Sequence, residues 1–246
     1  YEGVRQLIVR LLRHFNAIKT PFTLRIQSSI PQERGMGSSA ASAIAIVRAF
    51  FAFFETELSD AELQRWANIE EAITHGSPSG IDAATTAHDV PVWFVKGEKP
   101  EPMSMALHGT LIIADTGVHG QTGLAVSVVR EQLDNEPEAT RPHIDALGQI
   151  ARETREDLAN DDIQSLGRHM NDAQSHLSAL GVSHPKLDEL INAANQAGAL
   201  GAKLTGGGVG GAMLALAQSD EDVQRIIQAL EAAGAQEVWA QRYPQM

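Results

Sequence analysis

Residues 31–41 read Pro-Gln-Glu-Arg-Gly-Met-Gly-Ser-Ser-Ala-Ala, and this stretch decides the fold that the sequence predicts. Before it, residues 22–30 alternate apolar and polar side chains, which is typical of a strand with one buried face. After it, residues 40–54 are rich in alanine and large apolar side chains and predict a buried helix. A strand is therefore expected to enter a glycine-containing loop that opens a helix.

Such a loop is suited to binding phosphate. Glycine allows the backbone to approach a ligand closely, and the first turn of a helix presents N–H groups at the positive end of its dipole. The hydroxyls of Ser38 and Ser39 can cap the helix or contact a metal–phosphate complex.

Three interpretations of the stretch stay open on these residues alone. It can be an ordinary Gly/Ser loop with a serine cap, or a nucleotide-phosphate loop that differs from Walker A because no Gly-Lys-Ser/Thr follows the glycines. It can also be a dinucleotide-binding loop, because Gly35, Gly37 and Ala40 fit G-x-G-x-x-G/A. That third interpretation requires a second strand ending in an acidic residue. Glu55 has the right spacing, but residues 41–54 predict a single helix with no strand before it.

Composition limits the class of protein. A chain of 246 residues with 43% hydrophobic content is expected to form one or two globular domains. The absence of cysteine excludes disulfides and thiolate metal sites and suits a reducing cytosol, so a cytoplasmic location is expected. The formal net charge of −12 argues against nucleic-acid binding, and no apolar run is long enough for a membrane partner. The sequence opens at Tyr1 inside an amphipathic helix, which favours further residues upstream.

The order of predicted elements gives two domains, 1–108 and 109–246, joined by a surface connection within 96–109. The first half is expected to hold three helices, over residues 1–17, 39–55 and 59–75. The second half is expected to hold strands near 111–115, 199–205, 212–217 and 237–242, helices near 121–134, 142–159, 162–180 and 185–197, and a last helix capped by Ser219. Pro142 is placed at the first position of its helix. The second half therefore follows the β-α-β-β-α-β order of a split βαβ, or ferredoxin-like, domain with extra helices.

Two further patterns have both an ordinary and a functional interpretation. Glu71 lies near a predicted helix end, and Asp82 follows eleven residues later, beyond a loop that contains Pro78 and Gly80. They are either solvated surface carboxylates or a magnesium ligand and a proton acceptor held in place by a rigid loop. The glycine run 206–211 is either a flexible linker or a point of close approach by the substrate or by the first phosphate loop. Four histidines are interpreted as surface or packing residues: His88, His143, His169 and His176.

Three motifs in this order resemble the GHMP kinase superfamily. They are the stretch from Pro31 to Ala41, the loop His75-Gly76-Ser77-Pro78-Ser79-Gly80-Ile81-Asp82, and the run from Lys203 to Gly211. The second motif, with Glu71 before it, and the segment from Asp115 to Thr122 are most similar to the mevalonate kinases of that superfamily. The resemblance implies an α+β fold of two domains: the remainder of an S5-like N-terminal domain and a ferredoxin-like C-terminal domain.

The resemblance also implies an activity and a set of site residues. ATP, with Mg²⁺ as cofactor, would phosphorylate the primary alcohol of mevalonate, and Asp82 would act on the attacking hydroxyl. Ser39 and Glu71 would hold the metal. The substrate would contact Ser79, Gly80, Thr116 and Gly207. ATP would bind Pro31, Glu33, Arg34, Gly35, Met36, Gly37, Ser38, Ser39, Ala40 and Ala41.

Other functions on the same scaffold stay open. They are phosphomevalonate kinase, homoserine kinase, a sugar kinase, a diphosphomevalonate decarboxylase, and a nucleotide-binding regulator without catalysis. The family is often dimeric, so a homodimer is a further expectation. The family's N-terminal motif with a lysine and its glycine–histidine element are not found in the sequence, so these 246 residues alone are expected to turn over poorly or not at all.

Overall fold

The computed structural model describes residues 2–28, 30, 36–75 and 79–243, except for the side chains of Thr74 and His75. The described residues form two compact units, each described here by itself. Unit 1 contains the described residues of 2–30 and 37–103, and unit 2 contains Met36 and 104–243. The change between them falls inside the predicted connection 96–109, while the predicted domain limits themselves stay a prediction.

Unit 1 is built on four helices and a short hairpin. The helices are α1 (Glu2–His14), α2 (Ser38–Phe53), α3 (Asp60–His75) and α4 (Ile81–Ala87), and the hairpin pairs β1 (Val92–Trp93) with β2 (Glu101–Pro102) in antiparallel fashion. The N-terminus of α3 is capped by Ser59, whose Oγ accepts a hydrogen bond of 3.3 Å from the Glu62 N–H.

The core of unit 1 follows from the apolar pattern of its helices. α1 presents one leucine-lined face, whereas α2 is apolar nearly all round and is therefore covered on several sides. In the last turn of α2, Phe51 is 2% exposed and packs edge-on against Phe15, with the ring centroids 5.1 Å apart. Burying α2 in this way fixes the position of its N-terminus, where the phosphate loop ends.

The strand predicted over residues 22–30 is wrong. Residues 21–28 have no regular secondary structure, and the side chains of Phe22 and Ile26 are each 48% exposed. A strand needs a neighbour to satisfy its backbone groups. In the described part of unit 1 the only strands are β1 and β2, which pair with each other. The alternating pattern was present, but no described strand pairs with it.

Unit 2 is a four-stranded antiparallel sheet with five helices. The elements are β3 (Thr110–Asp115), α5 (Thr122–Asn135), α6 (Pro137–Asn160), α7 (Ile163–Ala179), α8 (Pro185–Gln196), β4 (Gly201–Leu204), β5 (Ala212–Ala217), α9 (Asp220–Ala232) and β6 (Glu237–Arg242). The strand order is β4-β5-β3-β6, and Ile112 on β3 pairs with Ala215 on β5 and Ala240 on β6. This order is that of a split βαβ domain, and the α+β class is confirmed.

The main core of unit 2 lies between the sheet and helices α8 and α9. Alternate residues of β3, Ile112 and Ala114, are fully buried there with Leu190 and Ile226 from the two helices. α9 starts with a complete capping box between Ser219 and Asp222, as the predicted serine cap requires.

The predicted position of Pro142 is wrong. The helix starts at Pro137, which takes the first position, and Pro142 lies inside α6. Pro137 costs little because the first helical residue has no partner for its N–H in any case. Pro142 lacks an N–H that the helix would otherwise use, so one hydrogen bond of the α6 ladder is missing there.

Three histidines of unit 2, His143, His169 and His176, contribute to the contact between α6 and α7, which agrees with their interpretation as packing residues. Nδ1 of His143 lies 2.8 Å from Nδ1 of His176. His169 lies between two carboxylates of α6, with Nδ1 at 2.6 Å from Asp157 and Nε2 at 3.1 Å from Glu153. None of the helices in the described part of the chain combines the length and apolar character that a membrane span requires.

Candidate active site

The N-terminus of α2 is open towards an anion. Gly37 occupies the N-cap position with a φ of 68°, and no side chain caps the helix within the described residues. The hydroxyl of Ser38, which the sequence offered as a possible cap, instead donates to the carbonyl of Ile30 at 3.3 Å. The first-turn amides of a buried 16-residue helix, with its dipole, therefore remain available for phosphate.

Ser39 is held by a carboxylate from the neighbouring helix. Its Oγ donates a hydrogen bond of 2.8 Å to Oε2 of Glu70 on α3. Glu70 is 3% exposed, and the next residue, Glu71, is 9% exposed. Two adjacent buried carboxylates and a hydroxyl give a donor set made of oxygen atoms, which is the type that Mg²⁺ prefers. The chemistry of these residues therefore fits a magnesium ion.

Glu70 is the residue that the sequence reasoning missed. The predicted metal pair was Ser39 and Glu71, and the structure places Glu70 on the Ser39 hydroxyl. Because neighbouring helix positions differ by about 100° in direction, a sequence pattern that identifies one acid does not say which of two consecutive acids faces α2. The one signal in the sequence was that two acids, Glu70 and Glu71, stand side by side near the end of the predicted helix.

Asp82 lies in the first turn of α4, and its side chain is exposed. One turn later, the hydroxyl of Thr86 donates to the Asp82 carbonyl at 2.6 Å, so both residues lie on one face of the helix. A Cβ added to Gly37 would lie 3.6 Å from Oγ1 of Thr86. The helix that carries the predicted proton acceptor therefore lies directly against the residue that opens α2.

The loop before α4 is fixed at its end. Gly80 has a φ of 84°, which favours glycine, and a Cβ there would meet the Phe94 ring at 3.4 Å. The Gly80 carbonyl accepts a hydrogen bond of 3.4 Å from Nε2 of Gln64, and the Ile81 N–H donates to Oγ of Ser79 at 3.3 Å. The remaining predicted residues of this loop and of the phosphate loop lie outside the described residues: Gly76, Ser77, Pro78, Pro31, Glu33, Arg34 and Gly35.

The two predicted substrate residues of unit 2 lie in neighbouring segments. Thr116 follows β3 and is 5% exposed, and its hydroxyl donates to the carbonyl of Gly211 at 2.5 Å. In return, the Gly211 N–H donates to the Val118 carbonyl at 2.8 Å. Thr116 therefore ties the loop after β3 to the end of the glycine run, and its contact with substrate stays a prediction.

Other segments of unit 2 lie very close to the glycine run. A close approach was predicted, but by the substrate or by the first phosphate loop. A Cβ on Gly207 would lie 2.4 Å from Oγ1 of Thr122, and one on Gly208 would lie 2.2 Å from the Val182 carbonyl oxygen. Real Cβ atoms essentially never lie so close to another atom. The linker interpretation is therefore wrong, and these contacts account for the two glycines without requiring a substrate or phosphate loop.

Lys203 begins the glycine motif and was not singled out as a titratable group. It lies on β4, where its half-buried side chain donates from Nζ to the Leu204 carbonyl at 2.6 Å. Burial lowers the pKa of Lys203 to about 8, because the charged form loses solvation.

An anion-binding helix end beside buried carboxylates, followed by a split βαβ domain, defines a phosphate-transferring enzyme of two-domain type. The descriptions "GHMP kinases N terminal domain" and "GHMP kinases C terminal" match residues 4–89 and 154–236. The chain belongs to the GHMP kinase family.

Curated relatives narrow the similarity further. The chain is 37% identical to the mevalonate kinase of Aeropyrum pernix over 217 residues, which cover 88% of this chain and 67% of that protein. It is 35% identical to the mevalonate kinase of Pyrococcus furiosus over 236 residues, covering 94% and 70%. The chain thus spans about two thirds of the length of these relatives.

Solved structures of mevalonate kinases are also similar to this chain. A crystal structure of L. major mevalonate kinase in complex with R-mevalonate is 25% identical and superposes with a TM-score of 0.83, covering 100% of this chain and 78% of that one. Mevalonate kinase from methicillin-resistant Staphylococcus aureus is 34% identical with a TM-score of 0.74, covering 97% and 77%. The predicted resemblance to this family is confirmed.

Proposed function

We propose that this protein transfers the γ-phosphate of ATP to the primary alcohol of mevalonate and releases 5-phosphomevalonate and ADP. The observation that carries the proposal is that α4, with Asp82 in its first turn, lies against Gly37 at the open end of α2. The mevalonate kinases among the relatives support the choice of alcohol.

In the proposed mechanism the main contribution of the protein is to bind and position the reactants. The first-turn amides of α2 bind phosphate oxygens, and Ser39 and Glu71 hold the magnesium ion. When bound, Mg²⁺ neutralises charge on the phosphates. Asp82 accepts the proton of the attacking hydroxyl as its oxygen forms a bond to the γ-phosphorus. The bond from that phosphorus to the bridging oxygen breaks, and its electron pair leaves with ADP.

The substrate side of the proposal assigns Ser79 and Gly80 to the loop before the base. Thr116 and Gly207 are assigned to unit 2. The hydrogen bonds of Gly80 and Ser79 support preformed positions for these two residues, which reduces the entropy lost on binding. A homodimer and a cytoplasmic location stay predictions from the sequence.

The test measures ATP consumption with mevalonate and Mg²⁺ in the protein at its full native length. Asp82→Asn should lower kcat by about 10²–10⁴, the usual contribution of a general base, while ATP still binds in a calorimetric titration. Asp89→Asn is the matched control, because Asp89 is an exposed acid just after α4. Near-normal turnover of the Asp82 variant would contradict the proposal.

A substrate panel separates the alternatives. Phosphomevalonate, homoserine and galactose are assayed beside mevalonate, because kinases for those substrates share the fold at 16–23% identity. Preference for one of them would replace mevalonate as the substrate. ATP binding without consumption on any alcohol would favour a nucleotide-binding regulator.

A further inference from the structure

The hydroxyl of Ser39 donates to a residue of another helix. Ser39 is the second residue of α2, so the position four residues back in the chain comes before the helix. Serine side chains within helices commonly donate to the carbonyl four residues back. Ser42, one turn later on α2, does so with the Ser38 carbonyl at 3.0 Å. Ser39 instead donates across to Glu70, a residue 31 positions away on another helix. The Ser39 hydroxyl is therefore oriented by α3 and not by its own helix.

The direction of this hydrogen bond matters for the oxygen. A hydroxyl has one proton and two lone pairs. When the proton is directed to Glu70, both lone pairs remain on the other sides of Oγ and can face a cation. The distance of 2.8 Å from Ser39 Oγ to Glu70 Oε2 is that of a well-formed O–H···O hydrogen bond, which holds the hydroxyl in this orientation.

Burial makes Glu70 a fixed partner. It is 3% exposed and lies at the contact between α2 and α3, whereas Ser39 lies at the exposed first turn of α2. A solvent-exposed carboxylate would exchange the serine for water. A buried one is held in place by the packing around it and retains the same hydrogen bond before and after a ligand arrives.

We propose that Glu70 is a positioning residue that orients the Ser39 hydroxyl for a magnesium–nucleotide complex. This inference rests on the nucleotide part of the proposed function and is independent of the alcohol. Outer partners of metal-binding groups typically contribute 10–100-fold to metal affinity. Glu70 is expected to act in that range through its hydrogen bond with Ser39.

The test is a double-mutant cycle on magnesium-dependent ADP binding, measured by calorimetry without any alcohol. Glu70→Gln keeps the size of the side chain but removes its charge, and its amide can donate to the serine oxygen. It should weaken the magnesium dependence by about 10–100-fold. Ser39→Ala should do the same, and the double variant should be no worse than Ser39→Ala. Ser42→Ala is the control and should bind as the unsubstituted protein does.

Each outcome has a defined meaning. Equal binding by Glu70→Gln and the unsubstituted protein would overturn the inference. Additive losses in the double variant would also overturn it, because Glu70 would then bind the metal directly or shape the site independently of Ser39. ADP binding without Mg²⁺ should not change in the Glu70→Gln and Ser42→Ala variants, which separates orientation of Ser39 from damage to the fold.

Two further arms complete the design. If urea unfolding shows that Glu70→Gln is unstable, Glu70→Asp replaces it in the cycle, since it keeps the charge but shortens the reach by one methylene. If the unsubstituted protein binds ADP with Mg²⁺ but does not phosphorylate mevalonate, the proposed reaction is rejected. The double-mutant cycle then still tests the role of Glu70. Absence of nucleotide binding in the unsubstituted protein would reject both.

Discussion

Gly208→Ala should destabilise unit 2 through the backbone alone. Gly208 has a φ of +83°, and the left-handed conformation costs a residue with a Cβ about 1–2 kcal/mol. The new methyl would lie 2.2 Å from the Val182 carbonyl oxygen, where ordinary contacts begin at 3.4 Å. That carbonyl accepts the Val209 N–H at 2.8 Å, so moving it apart also loses a hydrogen bond of about 1 kcal/mol.

The expected loss in free energy of unfolding is therefore about 2–3 kcal/mol. Trp239 on β6 reports on unit 2 if the other two tryptophans, Trp66 and Trp93, are replaced by phenylalanine. Urea unfolding is followed by its fluorescence. Gly148→Ala inside α6 is the control, because a Cβ there has ordinary contacts and should stabilise the helix by up to about 1 kcal/mol. A Gly208 variant within about 0.5 kcal/mol of the parent would refute the reasoning.

Three other substitutions test energetics in unit 2. Lys203→Met should stabilise the protein most below pH 8, because the pKa of Lys203 is about 8 in the folded protein and 10.5 in the unfolded chain. As the pH rises from 8 to 10.5, the parent should regain up to about 3 kcal/mol of unfolding free energy relative to the variant. Urea titrations from pH 7 to 10 measure this difference. Pro142→Ala should raise the free energy of unfolding by about 1–3 kcal/mol by restoring the α6 ladder, and a lower midpoint in urea would contradict this. Asp157→Ala should cost about 1–3 kcal/mol by removing the partner 2.6 Å from the His169 ring, and an unchanged midpoint would show that Glu153 alone satisfies the imidazole.

The sequence predicted elements best where their own side chains bury them. The helix after the phosphate loop and the strands and helices of unit 2 were found from apolar periodicity, because each carries its buried face within a few residues. The strand prediction for residues 22–30 was wrong for the opposite reason. Alternation specifies the two faces of a strand but not the neighbouring strand that must pair with its edges. The prediction for Pro142 was wrong because both Pro137 and Pro142 suit the start of a helix, and packing decides between them.

In the candidate site, too, the sequence predicted local features but not the contacts that packing decides. Motifs located Ser39, Asp82 and the glycine run, since each requires a special backbone or a special side chain at a set spacing. They could not indicate that Glu70 contacts the Ser39 hydroxyl, because that depends on the rotation of α3 about its axis. They also could not say what lies against Gly208, because its neighbour Val182 comes from a distant turn.

The bond between Thr116 and Gly211 has a consequence for how the protein is made. The two residues are 95 positions apart, and α5 to α8 lie between them. At about 5–20 residues per second on a ribosome, Thr116 emerges roughly 5–20 s before its acceptor. During that interval the turn after β3 is open, and closing so large a loop carries an entropic cost. The contact between the turn after β3 and the end of the glycine run therefore forms late in synthesis.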